Sequence, residues 1–166
     1  MTCFAYSNGS FIPNYKAKIS INDRSIHFAD AVYEVITVYN FRMLFWKDHI
    51  IRLKKSLSLL DIKFKKDLNS LLFKCEELIK KNYLKEGIIY IHISRGIAKR
   101  NHNWGPNIKP SLIISCAHKK TFDIEAKKIS LISSIDIRWN NCHIKTVSLL
   151  ANVLLKQKAL QKKAFE

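Results

Sequence analysis

The 166-residue chain contains no apolar run long enough to cross a bilayer, which excludes a spanning helix and leaves no membrane partner to expect. Its opening, Met1-Thr2-Cys3-Phe4-Ala5-Tyr6, lacks the basic and apolar regions of a leader peptide. The four cysteines, Cys3, Cys75, Cys116 and Cys142, form no C-x-x-C pair and match no histidine spacing that would hold zinc, so no metal site is expected. Dispersed thiols without a leader indicate a reducing, cytoplasmic compartment. Internal repeats and low-complexity segments are also absent. Acidic residues are few, 13 against 29 lysines and arginines, giving a net charge of +16 and a pI near 9.8. Such an excess ordinarily points to nucleic acid or an anionic surface. Here the lysines fall as scattered pairs (Lys54-Lys55, Lys65-Lys66, Lys80-Lys81, Lys119-Lys120, Lys127-Lys128, Lys162-Lys163), and no basic segment carries the interleaved aromatics of a base-stacking surface. A nucleic-acid partner is therefore not expected, whereas small anions such as phosphates and carboxylates suit the charge.

What is present is a globular balance, 48% hydrophobic and 25% charged, in a chain long enough for one domain and the opening of a second. Phe4-Ala5-Tyr6 and Phe11-Ile12-Pro13 flank Ser7-Asn8-Gly9-Ser10 as a hairpin. Ala31 to Tyr39 is rich in β-branched and aromatic residues and leads through Asn40-Phe41-Arg42 into Met43-Leu44-Phe45-Trp46, a second hairpin. Asp48 is placed to cap a helix from His49 to about Leu60, and Asp67 to open another to about Lys81 with Leu68, Leu71, Leu72, Cys75 and Leu78 inward. Ile88 to Ser94 and Leu112 to Ala117 read as buried strands, separated by a long polar loop from Arg95 to Pro110. After a linker-like stretch at 118–126, Ile129-Ser130-Leu131-Ile132 reads as a new strand, and Leu149 to about Lys162 as a helix with Leu150, Val153, Leu154 and Leu160 on its apolar face. The expected fold is α+β: residues 1–120 form an antiparallel sheet with two helices on one face, and 121–166 begin a second domain.

Four places carry chemistry. Asn22 to Glu34 brings charged and aromatic residues to the start of a strand, a pattern also met in ordinary polar loops. The loop segment Arg95-Gly96-Ile97-Ala98-Lys99-Arg100-Asn101-His102 holds three cations and an imidazole, suited to clamping a carboxylate or simply to facing water. Arg52 nearly shares the apolar face of its helix, as an inward anion ligand or as a side chain that snorkels to the surface. Lys145 lies among Ile144, Val147 and Leu149, apolar neighbours that favour the neutral amine of an imine-forming nucleophile.

In order along the chain, DRSIHFADAVYEVITVYN, DHIIRLKKSLSLL, HISRGIAKRNH and IRWNNCHIKTVSLLANVLLKQKA resemble the N-terminal part of class IV (fold type IV) pyridoxal-phosphate aminotransferases, within them the D-alanine/D-amino-acid transaminases. The resemblance implies the small domain of that class and pyridoxal 5'-phosphate as cofactor. It implies that Lys145 is the Schiff-base lysine and the carrier of the proton at Cα, and that Arg52 holds the cofactor phosphate. It further implies that Tyr33, Arg100 and His102 bind the substrate α-carboxylate, Arg100 and His102 as the R-x-H pair typical of D-amino-acid enzymes.

Three glycines usual in the family are Ser25, Ala29 and Ala31 here, and the K-S-x-N-L-L element reads Lys145-Thr146-Val147-Ser148. Ser25 and Ala31 would strain a backbone that needs positive φ. The family also continues well beyond Glu166, with the glutamate that pairs with the pyridine nitrogen and further phosphate-binding loops. A shortened chain of this kind is expected to be an impaired transaminase alone. The alternatives are the N-terminal half of a split enzyme completed by a C-terminal chain, or a non-enzymatic relic or interaction module. Amino acids and 2-oxo acids are the implied small-molecule partners and a homodimer the implied assembly.

Overall fold

The computed structural model describes residues 3–65, 67–120 and 128–166; most of the expected linker, 121–126, lies outside them. Six strands, β1 (Phe4–Ser7), β2 (Ser10–Pro13), β3 (Ala31–Tyr39), β4 (Arg42–Met43), β5 (Glu86–Ser94) and β6 (Ser111–His118), form one antiparallel sheet in the order β2-β1-β6-β5-β3-β4. Four α-helices accompany them: α1 (Arg24–Phe28), α2 (Trp46–Leu59), α3 (Ser70–Lys81) and α4 (Leu150–Gln161).

Strand alternation decides which sheet face is covered. Register pairs Val32 with Ile93, Glu34 with Ile91 and Ile36 with Ile89, and Ile91 and Ile93 in turn face Ile114 and Leu112. These residues are buried together with Leu53 and Leu57 of α2 and with Leu71, Cys75, Leu78 and Ile79 of α3. Two helices thus cover one face of an antiparallel sheet, the α+β arrangement expected from the sequence. Cys75 is enclosed deeply enough that burial pushes its thiol pKa up to about 12, which makes it an apolar filler rather than a nucleophile.

Several elements differ from the sequence reading. The second hairpin is short: Leu44 N–H still donates to Thr37 O at 2.9 Å, but Phe45 adopts φ 51°, ψ 35° and turns the chain into α2. Trp46 therefore begins the helix, and Asp48 sits inside its first turn, where its charge complements the helix dipole without capping it. At α3, Asp67 Oδ1 accepts from Asn69 N–H at 2.9 Å and its carbonyl from Ser70 Oγ at 2.7 Å, so Asp67 closes a preceding turn and the helix starts at Ser70. The polar run before β3 contains the helical turn α1, capped by Asp23, whose Oδ1 accepts from Ser25 N–H at 2.9 Å and Oγ at 2.7 Å. Ser25 and Ala31 show no positive φ; Ala29 does, at 52°, as the residue that ends α1. The strain expected at Ser25 and Ala31 is thus absent, because the serine is helical and bonds back to its cap.

Contacts divide the chain into two units: residues 1–121 together with Ile144–Val147, and the remainder. In the second unit, Ile129–Ile132 is not a strand, although Phe165 N–H donates to Ser130 O at 2.7 Å and Ile132 N–H to Glu166 O at 2.8 Å. Among the described residues these two bonds form no ladder for the segment to belong to. Helix α4 forms at the expected position, with Leu150, Val153, Leu154 and Leu160 all exposed. Among the described residues no helix is long and apolar enough to cross a membrane.

Candidate active site

Strand β3 has edges of unequal cover. β5 pairs with it along its whole length, whereas β4 reaches only Val38 and Tyr39. The edge left open at the start of β3 is occupied by Ile144–Val147: Tyr33 N–H donates to Lys145 O at 3.0 Å, Val147 N–H to Ala31 O at 3.2 Å, and Val32 pairs antiparallel with Thr146. Ile144 anchors the segment in the core, and Ser56 Oγ on α2 accepts from Lys145 N–H at 3.2 Å. Both backbone groups of Lys145 are therefore fixed.

The pleat then sets the directions of the side chains. Thr146 and Val32 are buried, so Tyr33 and Lys145 project from the opposite side, where the Lys145 Nζ lies 4.3 Å from the centre of the Tyr33 ring. Lys145 is half-buried. Its neighbourhood is aromatic: the Tyr33 and Tyr90 rings are 5.5 Å apart, and Tyr90 Oη lies 3.4 Å from His92 Nδ1. Burial pulls the His92 pKa below the usual imidazole value and pushes the Tyr90 phenol up, so both stay neutral near pH 7.

Glu34, the next residue along β3, faces inward and is fully buried. Its carboxylate accepts a two-pronged grip from Arg52, Nε to Oε1 at 2.7 Å and Nη2 to Oε2 at 2.6 Å, and His49 Nδ1 lies 2.8 Å from Oε2. Hydrogen bonding to Glu34 raises the Arg52 pKa further, against the opposing effect of burial. Neither sequence alternative for Arg52 is complete: it is half-exposed, and two of its donors go to the chain's own carboxylate. Nη1 makes no hydrogen bond among the described residues. Arg52 and Ser56 are one turn apart on α2, so one helix face carries the guanidinium and the hydroxyl that holds Lys145.

Arg100 and His102 lie in the exposed loop between β5 and β6. The Arg100 guanidinium carbon is 5.5 Å from the Phe28 ring centre, and the His102 ring meets the same ring edge-on at 5.4 Å. Among the described residues no hydrogen bond or ring contact joins either to Lys145. Lys145, Tyr33 and, through Ser56 and Glu34, Arg52 thus gather at the β3–α2 junction, while Arg100 and His102 form a separate cluster over α1. The sequence reading did not single out Glu34, His49 or Ser56. Glu34 was detectable as a charged residue in the inward phase of Val32, Ile36 and Val38, and Ser56 as a polar residue in the buried stripe with Leu53 and Leu57.

An antiparallel sheet under two helices, with an amine presented beside a tyrosine and an arginine one turn from its anchor, defines a lysine-bearing α+β domain. The family described as amino-transferase class IV matches residues 31–166. The chain is 32% identical over 163 residues to the D-alanine aminotransferase of Staphylococcus aureus, covering 97% of this chain and 58% of that protein. It is 34% identical over 165 residues to the Bacillus licheniformis D-alanine aminotransferase, covering 96% and 56%. The branched-chain amino acid aminotransferase of Escherichia coli shares the fold with a TM-score of 0.84 at 18% identity, over 100% of this chain and 59% of its own. The branched-chain aminotransferase of the archaeon Thermoproteus uzoniensis, solved with norvaline, does so at 0.83 and 15%, over 100% and 59%. The chain belongs to the class IV aminotransferases. It spans a little over half the length of the relatives it matches.

Class IV aminotransferases depend on pyridoxal phosphate. The donor set here fits that group: a half-buried amine for an aldehyde, and on the neighbouring helix a guanidinium whose Nη1 edge makes no hydrogen bond among the described residues, for a phosphate.

Proposed function

We propose that this chain carries the lysine-bearing part of a D-amino-acid transaminase site, moving an amino group between a D-amino acid and a 2-oxo acid. The observation that carries this reading is Lys145, held by both its backbone groups between β3 and α2 with its Nζ at the Tyr33 ring. In this role its amine would hold the cofactor through the aldehyde carbon, with loss of water, and would carry the substrate proton from Cα to the cofactor's C4′. When bound, pyridoxal phosphate supplies the electron sink for the charge left on Cα. The Nη1 edge of Arg52 would hold the phosphate, and Glu34 would orient that edge by accepting from Nε and Nη2. Arg100 and His102, exposed over α1, bind the substrate α-carboxylate with Tyr33; because they stand apart from the Tyr33–Lys145 cluster within one chain, the three would meet in a site to which a second copy contributes. Identity to D-alanine aminotransferases along nearly the whole chain favours the D-series substrate.

A second copy or a complementary C-terminal chain is the macromolecular partner in this reading. The division into a small domain at 1–120 and the start of a second at 121–166 belongs to it as well, with the lysine segment Ile144–Val147 grouping with the first unit. Four cysteine thiols, none in a disulfide, fit a cytoplasmic setting.

The test is a pyridoxal-phosphate titration of the purified chain, followed by borohydride reduction and peptide mapping. A saturable visible band with the label on Lys145, lost in Lys145→Ala, is the expected result. Label spread over surface lysines without saturation would overturn the reading.

A further inference from the structure

The stretch from Asn22 to Asp30 takes no part in the roles above, yet it contains one of the most heavily bonded side chains of the first unit. Arg24 is 3% exposed. Its Nε donates to Asp30 Oδ2 at 2.7 Å, Nη1 to Asn101 O at 2.6 Å, and Nη2 to His102 O at 3.2 Å. A buried guanidinium is costly unless its donors find acceptors. Here two of its three bonds go to backbone carbonyls inside Arg100-Asn101-His102, a segment remote in sequence and otherwise exposed. The Arg24 backbone N–H, donating to Gly96 O at 3.0 Å, ties the start of the same loop.

Phe28, one turn along α1, completes the arrangement. Its ring lies 4.7 Å from the Arg24 guanidinium carbon and 5.5 Å from that of Arg100, with the His102 ring edge-on at 5.4 Å. One aromatic ring thus contacts both members of the R-x-H pair and the arginine that holds their backbone. Cation and ring contacts of this kind are directional, so they restrict the side chains they touch. Arg95 shares Asp30 but spends its remaining donors on Leu60 O and Asp61 O, with none to residues 100–102.

We propose that Arg24 and Phe28 are positioning residues for carboxylate recognition. Arg24 fixes the backbone of the Arg100-x-His102 loop, and Phe28 fixes the directions of the two side chains. The proposal rests on the reading of Arg100 and His102 as the carboxylate pair, and its test separates the two.

The full chain is compared with Arg24→Lys, Phe28→Leu, Phe28→Tyr and Arg100→Ala. Three measurements are made: thermal unfolding, amide hydrogen exchange at residues 100–103, and an NMR titration with pyruvate that follows the His102 ring. Arg24→Lys keeps the charge beside Asp30 but lacks the planar fork that reaches two carbonyls. Arg24→Lys and Phe28→Leu are expected to unfold cooperatively, to speed exchange at 100–103, and to weaken pyruvate binding by about tenfold, the scale of one lost directed hydrogen bond. Phe28→Tyr keeps the ring and is expected to bind as the parent does, whereas simple space-filling would accept leucine equally. Parent-like exchange and pyruvate binding in Phe28→Leu and Arg24→Lys would overturn the proposal. If Arg100→Ala leaves pyruvate binding unchanged, the carboxylate reading fails. The exchange data then still decide the positioning claim, faster exchange at 100–103 upholding it and unchanged exchange sinking it.

Discussion

Removing either partner of the Glu34–Arg52 pair breaks the same two hydrogen bonds, yet the costs should differ because the two charges are differently exposed. Glu34 has no exposed side-chain surface, while 49% of the Arg52 side chain is exposed. In Arg52→Met the carboxylate remains buried with His49 as its neighbour, and breaking a buried pair in this direction costs about 3 to 5 kcal/mol. In Glu34→Gln the guanidinium turns to water and the amide oxygen still accepts one N–H, so the cost falls to about 1 to 2 kcal/mol. The difference, about 2 kcal/mol, is roughly thirtyfold in the folding equilibrium. Urea denaturation at neutral pH measures both. The double variant should lie near Glu34→Gln alone, since the buried charge that made the arginine necessary is gone. Equal costs, or a larger cost for Glu34→Gln, would refute the claim that burial of the carboxylate makes the pair asymmetric.

Gly96 has φ 118°, and a Cβ there would lie 2.0 Å from Lys109 O, a backbone atom that cannot swing away. Gly96→Ala should therefore destabilise the fold by about 2 to 4 kcal/mol, read as a lowered thermal midpoint, whereas unchanged melting would show that the loop adapts. The acid limb of stability has two parts. His92 has a folded pKa below the ordinary imidazole value of 6.5, so its contribution is complete above that value and declines as pH falls towards the folded pKa. Asp23, where hydrogen bonds from Ser25, Ser94 and Ser111 outweigh the upward effect of burial, lies below 3.8 and adds a second decline under that pH. His92→Gln should flatten the fall of urea midpoints just below pH 6.5 while keeping the limb below pH 3.8; a persistent upper limb would assign it to another group.

β-Branched and aromatic enrichment in AVYEVITVY and the apolar run IIYIHIS made the central strands legible, because such side chains pack well on a pleated surface. Helices α2 and α3 were visible in their leucine spacing, but their first residues were not. An aspartate near a helix start reads as a cap in sequence, while the true start of α2 depends on Phe45 taking a left-handed conformation that no local propensity announces. The short helix α1 was hidden because five residues carry too little periodicity to separate from a polar loop. Of the proposed site, Lys145, Arg52 and the loop with Arg100 and His102 stood out by their residues only as open alternatives, and the family resemblance supplied their expected roles and that of Tyr33. Arg24 escaped both, since an arginine in a polar run gives no sign that its partners are carbonyls at 101 and 102.

The pairing of Val32 with Thr146 also has a consequence for the order of assembly. A chain emerging from the ribosome can complete the sheet once β6 has appeared, but the strand segment bearing the lysine arrives only later. Long-range closures of this kind come late and slowly. In the interval the edge at Ala31–Tyr33 presents unpaired backbone groups, and residues 144–147 from another nascent copy match that edge as well as the chain's own do. Crowded synthesis would then exchange lysines between chains, and dilution during refolding would return each one to its own sheet.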